Sequence, residues 1–168
     1  MNPIIIEHTA LKKAAQEGMD TFLKVFTDKY FEVIGGEINE TTMPLLNGYQ
    51  HSLLGYHIFC QEVLEGGFVQ LIQNGYAPYI FENPFAKAMR LFGAKPFSKL
   101  IYQAKEIYDE HKIALTRECT EEEFMAMYEE FEQFDAIEEA FMEMEEEVTE
   151  LLAIYVDEHL EDFATIAS

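Results

Sequence analysis

Apolar side chains recur at intervals of three and four along almost the whole chain, and that spacing is what most narrows the folds open to it. Over residues 11–34 they fall at Leu11, Ala14, Ala15, Met19, Phe22, Leu23, Phe26, Tyr30 and Val33, one stripe of a single helix. Gly35-Gly36 marks its C-terminal cap. A second helix is predicted to start within Thr41-Thr42-Met43-Pro44, where proline is tolerated in the first turn. Leu46, Leu53, Leu54, Ile58, Val63 and Leu64 line its inner face, and it stops at Gly66-Gly67. A short apolar segment over residues 68–74 leads into a turn at Asn74-Gly75-Tyr76-Ala77-Pro78. Asn83-Pro84 opens a helix through Leu91 that Gly93 ends, and Lys95-Pro96 opens another to about Leu115. No stretch alternates with period two between hairpin turns. The predicted fold class is all-α, a single-domain compact helical bundle.

The last third repeats the helical pattern with a different surface. Thr120-Glu121-Glu122-Glu123 has the form of a capping box. Apolar residues follow at Phe124, Met127, Phe131, Phe134, Ile137, Phe141, Met144, Val148, Leu151 and Tyr155. The stripe slips between Phe134 and Ile137, where Asp135 and Glu138 form a second capping-like pair. A break near Phe134, giving two helices, is expected.

Charge divides the chain unevenly. The sequence has 32 acidic and 11 basic residues, a formal charge of −21. Residues 1–112 carry 13 acidic and 10 basic side chains, net −3, whereas residues 113–168 carry 19 acidic and one basic, Arg117, net −18. The expected organisation is a near-neutral helical body over residues 1–112 with a strongly acidic helical segment, 113–168, packed on it. Such a surface repels phosphate backbones and anionic lipid, which excludes the ordinary nucleic-acid and membrane-surface binders. An apolar fraction of 49% argues against the disorder that high charge otherwise favours. Cys60 and Cys119 make no disulfide framework, and no signal-peptide core or membrane-length apolar run is present, so a cytoplasmic location is expected.

Signatures of catalysis are missing. There is no GxSxG, phosphate loop, HExxH, Glu-x-x-His or EF-hand loop. His57 and Cys60, three apart on a predicted helix, are the nearest approach to a thiol–imidazole pair or metal corner. Their ordinary reading is two side chains at or near the core. His8, His51, His111 and His159 stand alone. No catalytic residue, metal or cofactor is expected, leaving an enzyme or metal site at His57 as a minor reading. Gly66-Gly67 follows no predicted strand, so it is read as a sharp helix-to-helix turn that drops Phe68 into the core, with Gln70 and Asn74 bonding the turn's exposed ends.

The same stretch carries a family resemblance. Glu62-Val63-x-x-Gly66-Gly67-Phe68-x-Gln70, then Asn74-Gly75, then Ala86-x-Ala88-x-x-x-Phe92-Gly93-Ala94 resembles the signature of the bacterial family named after DNA mimic protein 19. It covers residues 53–104 well and 141–163 more loosely. The resemblance implies an acidic, all-helical protein in which Glu62, Gly66, Gly67, Phe68, Gln70, Asn74 and Gly93 serve the fold. It also implies carboxylates that imitate DNA phosphates and occupy the DNA-binding site of a regulator. The family pattern usually has Asn where this chain has Glu65.

The surface supports that implication independently. Residues 121–150 include 14 acidic side chains in 30 positions, about one charge per 3.2 Å of helix axis. One DNA strand presents a charge roughly every 3.4 Å and a duplex one every 1.7 Å, so a homodimer is expected to supply the second strand's worth. With Ile137, Phe141, Met144, Val148 and Leu151 inward, Glu139, Glu143, Glu146 and Glu150 form an outward row; Glu122, Glu129, Glu130 and Glu132 point outward in the preceding helix. An ordinary exposed helix uses Glu–Lys pairs, and this one has forgone them. The expected function is a non-enzymatic DNA mimic that blocks a basic DNA-binding protein, such as a transcription regulator. An acidic adaptor or immunity-type module that neutralises a basic partner without imitating DNA is the alternative.

Overall fold

A computed structural model describes residues 3–168 and is all-α apart from one minimal pair of strands. It divides into two units, residues up to His57 with Glu147–Ser168, and Ile58–Glu146.

In the first unit β1 (Ile5–Glu7) leads into α1 (His8–Glu17) and α2 (Met19–Ile34), and β1 pairs in parallel with β2 (Thr165–Ala167), Ile6 opposite Ile166. Three residues are too few to show a period in sequence, which is why these strands escaped the periodicity reading. The single helix expected over residues 11–34 is broken at Gly18, whose φ of 155° and ψ of 164° lie in a region essentially reserved for glycine. The apolar stripe runs through the break, so spacing alone did not reveal it. It also shifts: Met19 and Val33 are exposed, while Thr27 and Ile34 are buried.

Phe22, Phe26, Tyr30 and Phe163 are buried together, with Phe26 edge-on to Phe163 at 6.5 Å. The Phe163 carbonyl, at the end of α9 (Leu160–Phe163), accepts from Tyr30 Oη at 2.8 Å and from Gln50 Nε2 at 3.0 Å. Burial pushes the Tyr30 phenol well above its ordinary value. Helix α3 (Gly48–Gln73) begins later than expected. Met43–Leu45 form only a 3-10 turn, and Asn47 and Gln50 cap α3 reciprocally, each backbone N–H donating to the other's side-chain oxygen at 2.8 Å.

The second unit holds the rest of α3, then α4 (Ala77–Phe81), α5 (Phe85–Leu91), α6 (Lys95–Thr116), α7 (Glu121–Glu130) and the start of α8 (Asp135–Glu158). The turn expected at residues 74–78 is present at Asn74-Gly75, with Gly75 at φ 88°, and α4 begins within its last two residues, at Ala77. The change of charge after Lys112 falls inside α6. Phe59 sits at the centre, with ring centroids of Phe68, Phe85, Phe97 and Phe141 at 5.6, 6.3, 5.1 and 4.8 Å. Aromatic contacts of this kind add to the burial of large apolar area.

The expected break near Phe134 is present. Helix α7 ends at Glu130, Glu132–Phe134 form a 3-10 turn, and α8 follows, making two helices. The Thr120–Glu123 capping box is formed, each partner's N–H donating to the other's side chain at 3.2 Å. Of the predicted stripe, Met127, Phe131, Phe134, Phe141 and Val148 are buried, whereas Phe124, Ile137, Met144, Leu151 and Tyr155 are half-buried; Leu152 and Val156 take the innermost places beyond Val148. Leu64, expected inward, is exposed.

Candidate partner-binding surface

The glycine motif sets how the acidic helices are held. Within α3, Gly67 has φ 73° and ψ −172°, a left-handed conformation that disrupts the helix where the Gly-Gly pair was expected to stop it. Helical turns resume through Gln73. A backbone break frees polar groups that need partners, and side chains from α7 and α8 supply them. Tyr128 Oη donates to the Gly66 carbonyl at 2.8 Å, and the Phe68 N–H donates to Glu138 Oε2 at 2.8 Å. A Cβ on Gly67 would collide with the Glu138 carboxylate, and one on Gly66 with the Gln70 side chain. Phe68 itself is fully buried against Phe59 and stacked on Phe134 at 5.1 Å, as the turn reading required.

Gln70 and Asn74 act differently from expectation. They donate not to the ends of the turn but to the nearly buried Glu62, Gln70 Nε2 to one oxygen at 3.0 Å and Asn74 Nδ2 to the other at 2.6 Å. The bend at Gly67 is what lets one carboxylate meet residues eight and twelve positions later. Glu65 is exposed, and Gly93, with φ 98°, follows the end of α5. Glu138 likewise departs from its reading as a helix cap. Its carboxylate reaches the α3 break, where burial chiefly, and the Asp135 charge, raise its pKa against the lowering effect of the Phe68 N–H. The Tyr128 phenol is raised too, by burial and then by Glu138. The contacts of Glu138 and Tyr128 with the break escaped the sequence reading because nothing local marks a side chain bound for a glycine break some sixty or seventy residues earlier.

All eight predicted surface glutamates are exposed: Glu122, Glu129, Glu130, Glu132, Glu139, Glu143, Glu146 and Glu150. Seven have no cationic partner among the described residues. Glu130 is the exception, paired with Arg117 at 3.1 Å. On α8 the exposed positions Asp135, Glu139, Glu143 and Glu146 follow one another at steps of four, four and three, about 5 to 6 Å apart along the axis. Glu150 and Asp157 continue the outer side of the same helix, with exposed Ile154 between them. Asp135, read from the sequence only as half of a capping-like pair, and Asp157 were not assigned to the row, although the helical period alone places them with it.

The histidines do not gather. His57 packs edge-on to Phe31 at 5.6 Å, and burial lowers its pKa. His51 Nε2 lies 2.7 Å from the Met43 carbonyl, His159 stacks on Tyr155 at 4.0 Å, and His111 lies edge-on to Phe131. Among the described residues no three His, Cys, Asp or Glu side chains are grouped to hold a metal, and no helix is long and apolar enough to cross a membrane.

Comparison with known proteins places this arrangement in context. The family model described as DMP19-like protein matches residues 44–159, a span that contains the glycine break and all of α8. DNA mimic protein DMP19 of Neisseria meningitidis serogroup B (strain ATCC BAA-335 / MC58) is 32% identical over 131 residues, covering 77% of this chain and 79% of that protein.

Proposed function

We infer that this chain, which belongs to the DMP19-like protein family, is a non-enzymatic DNA mimic whose outer α7 and α8 carboxylates occupy the phosphate-binding surface of a DNA-binding protein. The observation that carries the reading is the unpaired row on α8. Exposed helices ordinarily intersperse lysine to gain a few tenths of a kcal/mol per pair, and here carboxylate follows carboxylate at the spacing of a helical turn. A DNA-binding protein presents arginine and lysine placed to meet phosphates, so a rigid carboxylate row competes for the same cations. A transcription regulator in the cytoplasm fits this chemistry, and a homodimer brings the charge density toward that of a duplex. The name of the Neisseria relative, a DNA mimic, supports the same reading.

Capture from an extract of the cell of origin, at low and high salt, tests it. The expected result is recovery of a DNA-binding protein that free duplex DNA displaces and high salt releases. Changing Glu139, Glu143, Glu146 and Glu150 to Gln should weaken that capture while leaving the helical spectrum intact. A recovered partner that duplex DNA fails to displace would favour the adaptor or immunity-type module instead.

A further inference from the structure

The chain's acidity has a gap. Between Glu82 and Glu106 there is no acidic residue at all, yet the interval carries Lys87, Arg90, Lys95, Lys99 and Lys105. Lys105 is paired with Asp109 at 2.6 Å. The other four are exposed and have no carboxylate partner among the described residues, in a protein with nearly three carboxylates for every cation. Elsewhere Lys24, Lys29, Lys112 and Arg117 are paired, and only the adjacent Lys12 and Lys13 on α1 are likewise exposed without a carboxylate partner among the described residues.

Local structure gathers these four charges at one corner. Lys87 and Arg90 lie a turn apart on α5, and Lys95 and Lys99 a turn apart on α6. The turn at Gly93 folds α6 back on α5, with the Ala94 N–H donating to the Met89 carbonyl at 2.9 Å. Ser98 Oγ, buried, donates to the Ala86 carbonyl at 2.6 Å and fixes the two helices side by side. Lys87 directly follows Ala86 and Lys99 directly follows Ser98, so the exposed lysines flank that joint. Leu91 is 65% exposed and Tyr102, one turn beyond Lys99, is 49% exposed.

We propose that this α5–α6 corner, with Lys87, Arg90, Lys95 and Lys99 around Leu91 and Tyr102, docks a short acidic segment of a protein partner. The proposal stands apart from the reading of the α8 face. Its size selects the occupant. Glu82, Glu106, Asp109 and Glu110 border the cationic interval in sequence, and the unit as a whole has 19 acidic and seven basic residues, net −12. A duplex or an anionic membrane extends its charge beyond four cations and meets those carboxylates. A short peptide ends where the patch ends. An exposed tyrosine and an arginine in one patch also match the enrichment of those two residue types at protein interfaces.

The test is fluorescence anisotropy with a short fluorescein-labelled peptide of alternating glutamate and phenylalanine, at low salt and at about 0.5 M salt. The expected result is salt-sensitive binding to the full chain, tighter than its binding to a DNA duplex or to phosphatidylserine vesicles. Changing Lys87, Arg90, Lys95 and Lys99 together to Glu should weaken it by about tenfold or more. Changing exposed Lys12 and Lys13 to Glu should leave it unaltered. The set changed to Gln, checked by circular dichroism, should give an intermediate loss and guards against misfolding of the reversed variant. No binding to the unaltered chain at low salt, equal binding by the Gln set, or preference for duplex or vesicles would overturn the proposal.

Discussion

Helix α8 and the α5–α6 hairpin are built on one core and carry opposite surfaces. Phe141 from α8, Phe85 from α5 and Phe97 from α6 all meet Phe59. Outside, α8 shows Asp135, Glu139, Glu143 and Glu146 without a cation, while α5 and α6 show Lys87, Arg90, Lys95 and Lys99 without a carboxylate. The same aromatic packing therefore tolerates either sign of charge outside. Burial fixes where helices lie and says little about what their exposed faces carry, which leaves those faces available for recognition.

The largest expected effect comes from the shared core. Phe59→Ala removes a fully buried ring facing both regions, and about 3–5 kcal/mol of stability should be lost. Denaturant titration with hydrogen exchange should show amides of α5, α6 and early α8 losing protection together. Loss confined to one of them would break the idea of a common core.

Next comes the glycine break, whose freed backbone groups are met by Tyr128 of α7 and Glu138 of α8. Gly67→Ala places a Cβ at φ 73° and against Glu138, with an expected cost of about 1–3 kcal/mol or more. Thermal melting measures it. The α5–α6 peptide binding should survive at temperatures where the variant is folded, and its disappearance there would tie the two surfaces together.

Glu138 offers a finer probe. Glu138→Ala strands the Phe68 N–H and should cost about 1–3 kcal/mol, whereas Glu138→Gln keeps an acceptor and should cost less. Burial raises the folded-state pKa of this carboxyl above its unfolded value, so the folded chain holds the proton more tightly. The contribution is fully present below about pH 4 and is lost as pH rises through the folded value. Unaltered protein should therefore lose stability relative to Glu138→Gln across that rise. Parallel melting curves at every pH would show that the carboxyl is not responsible.

The smallest stability effect belongs to the row itself. Glu139, Glu143 and Glu146 changed to Gln should shift stability by no more than about 0.5 kcal/mol each, in the stabilising direction as like charges are removed. A large loss on melting would mean that these side chains hold the fold and are not free for a partner.

The sequence by itself determined the helical class, the Thr120 capping box, the interruption at Gly66-Gly67, the break near Phe134 and the exposed glutamates of α7 and α8. Each of these follows from spacing or capping chemistry within a few residues. Starts and stops governed by competing local signals were read less well: Pro44 drew the start of α3 away from the Asn47–Gln50 cap, and the apolar stripe concealed the break at Gly18. Only the tertiary structure decided that Glu62 gathers Gln70 and Asn74, that Glu138 leaves its helix face to meet the Phe68 N–H, and that Tyr128 reaches the Gly66 carbonyl. These are polar groups satisfied across long sequence separations. Their partners are chosen by which backbone atoms a bend exposes, and no periodicity records that choice.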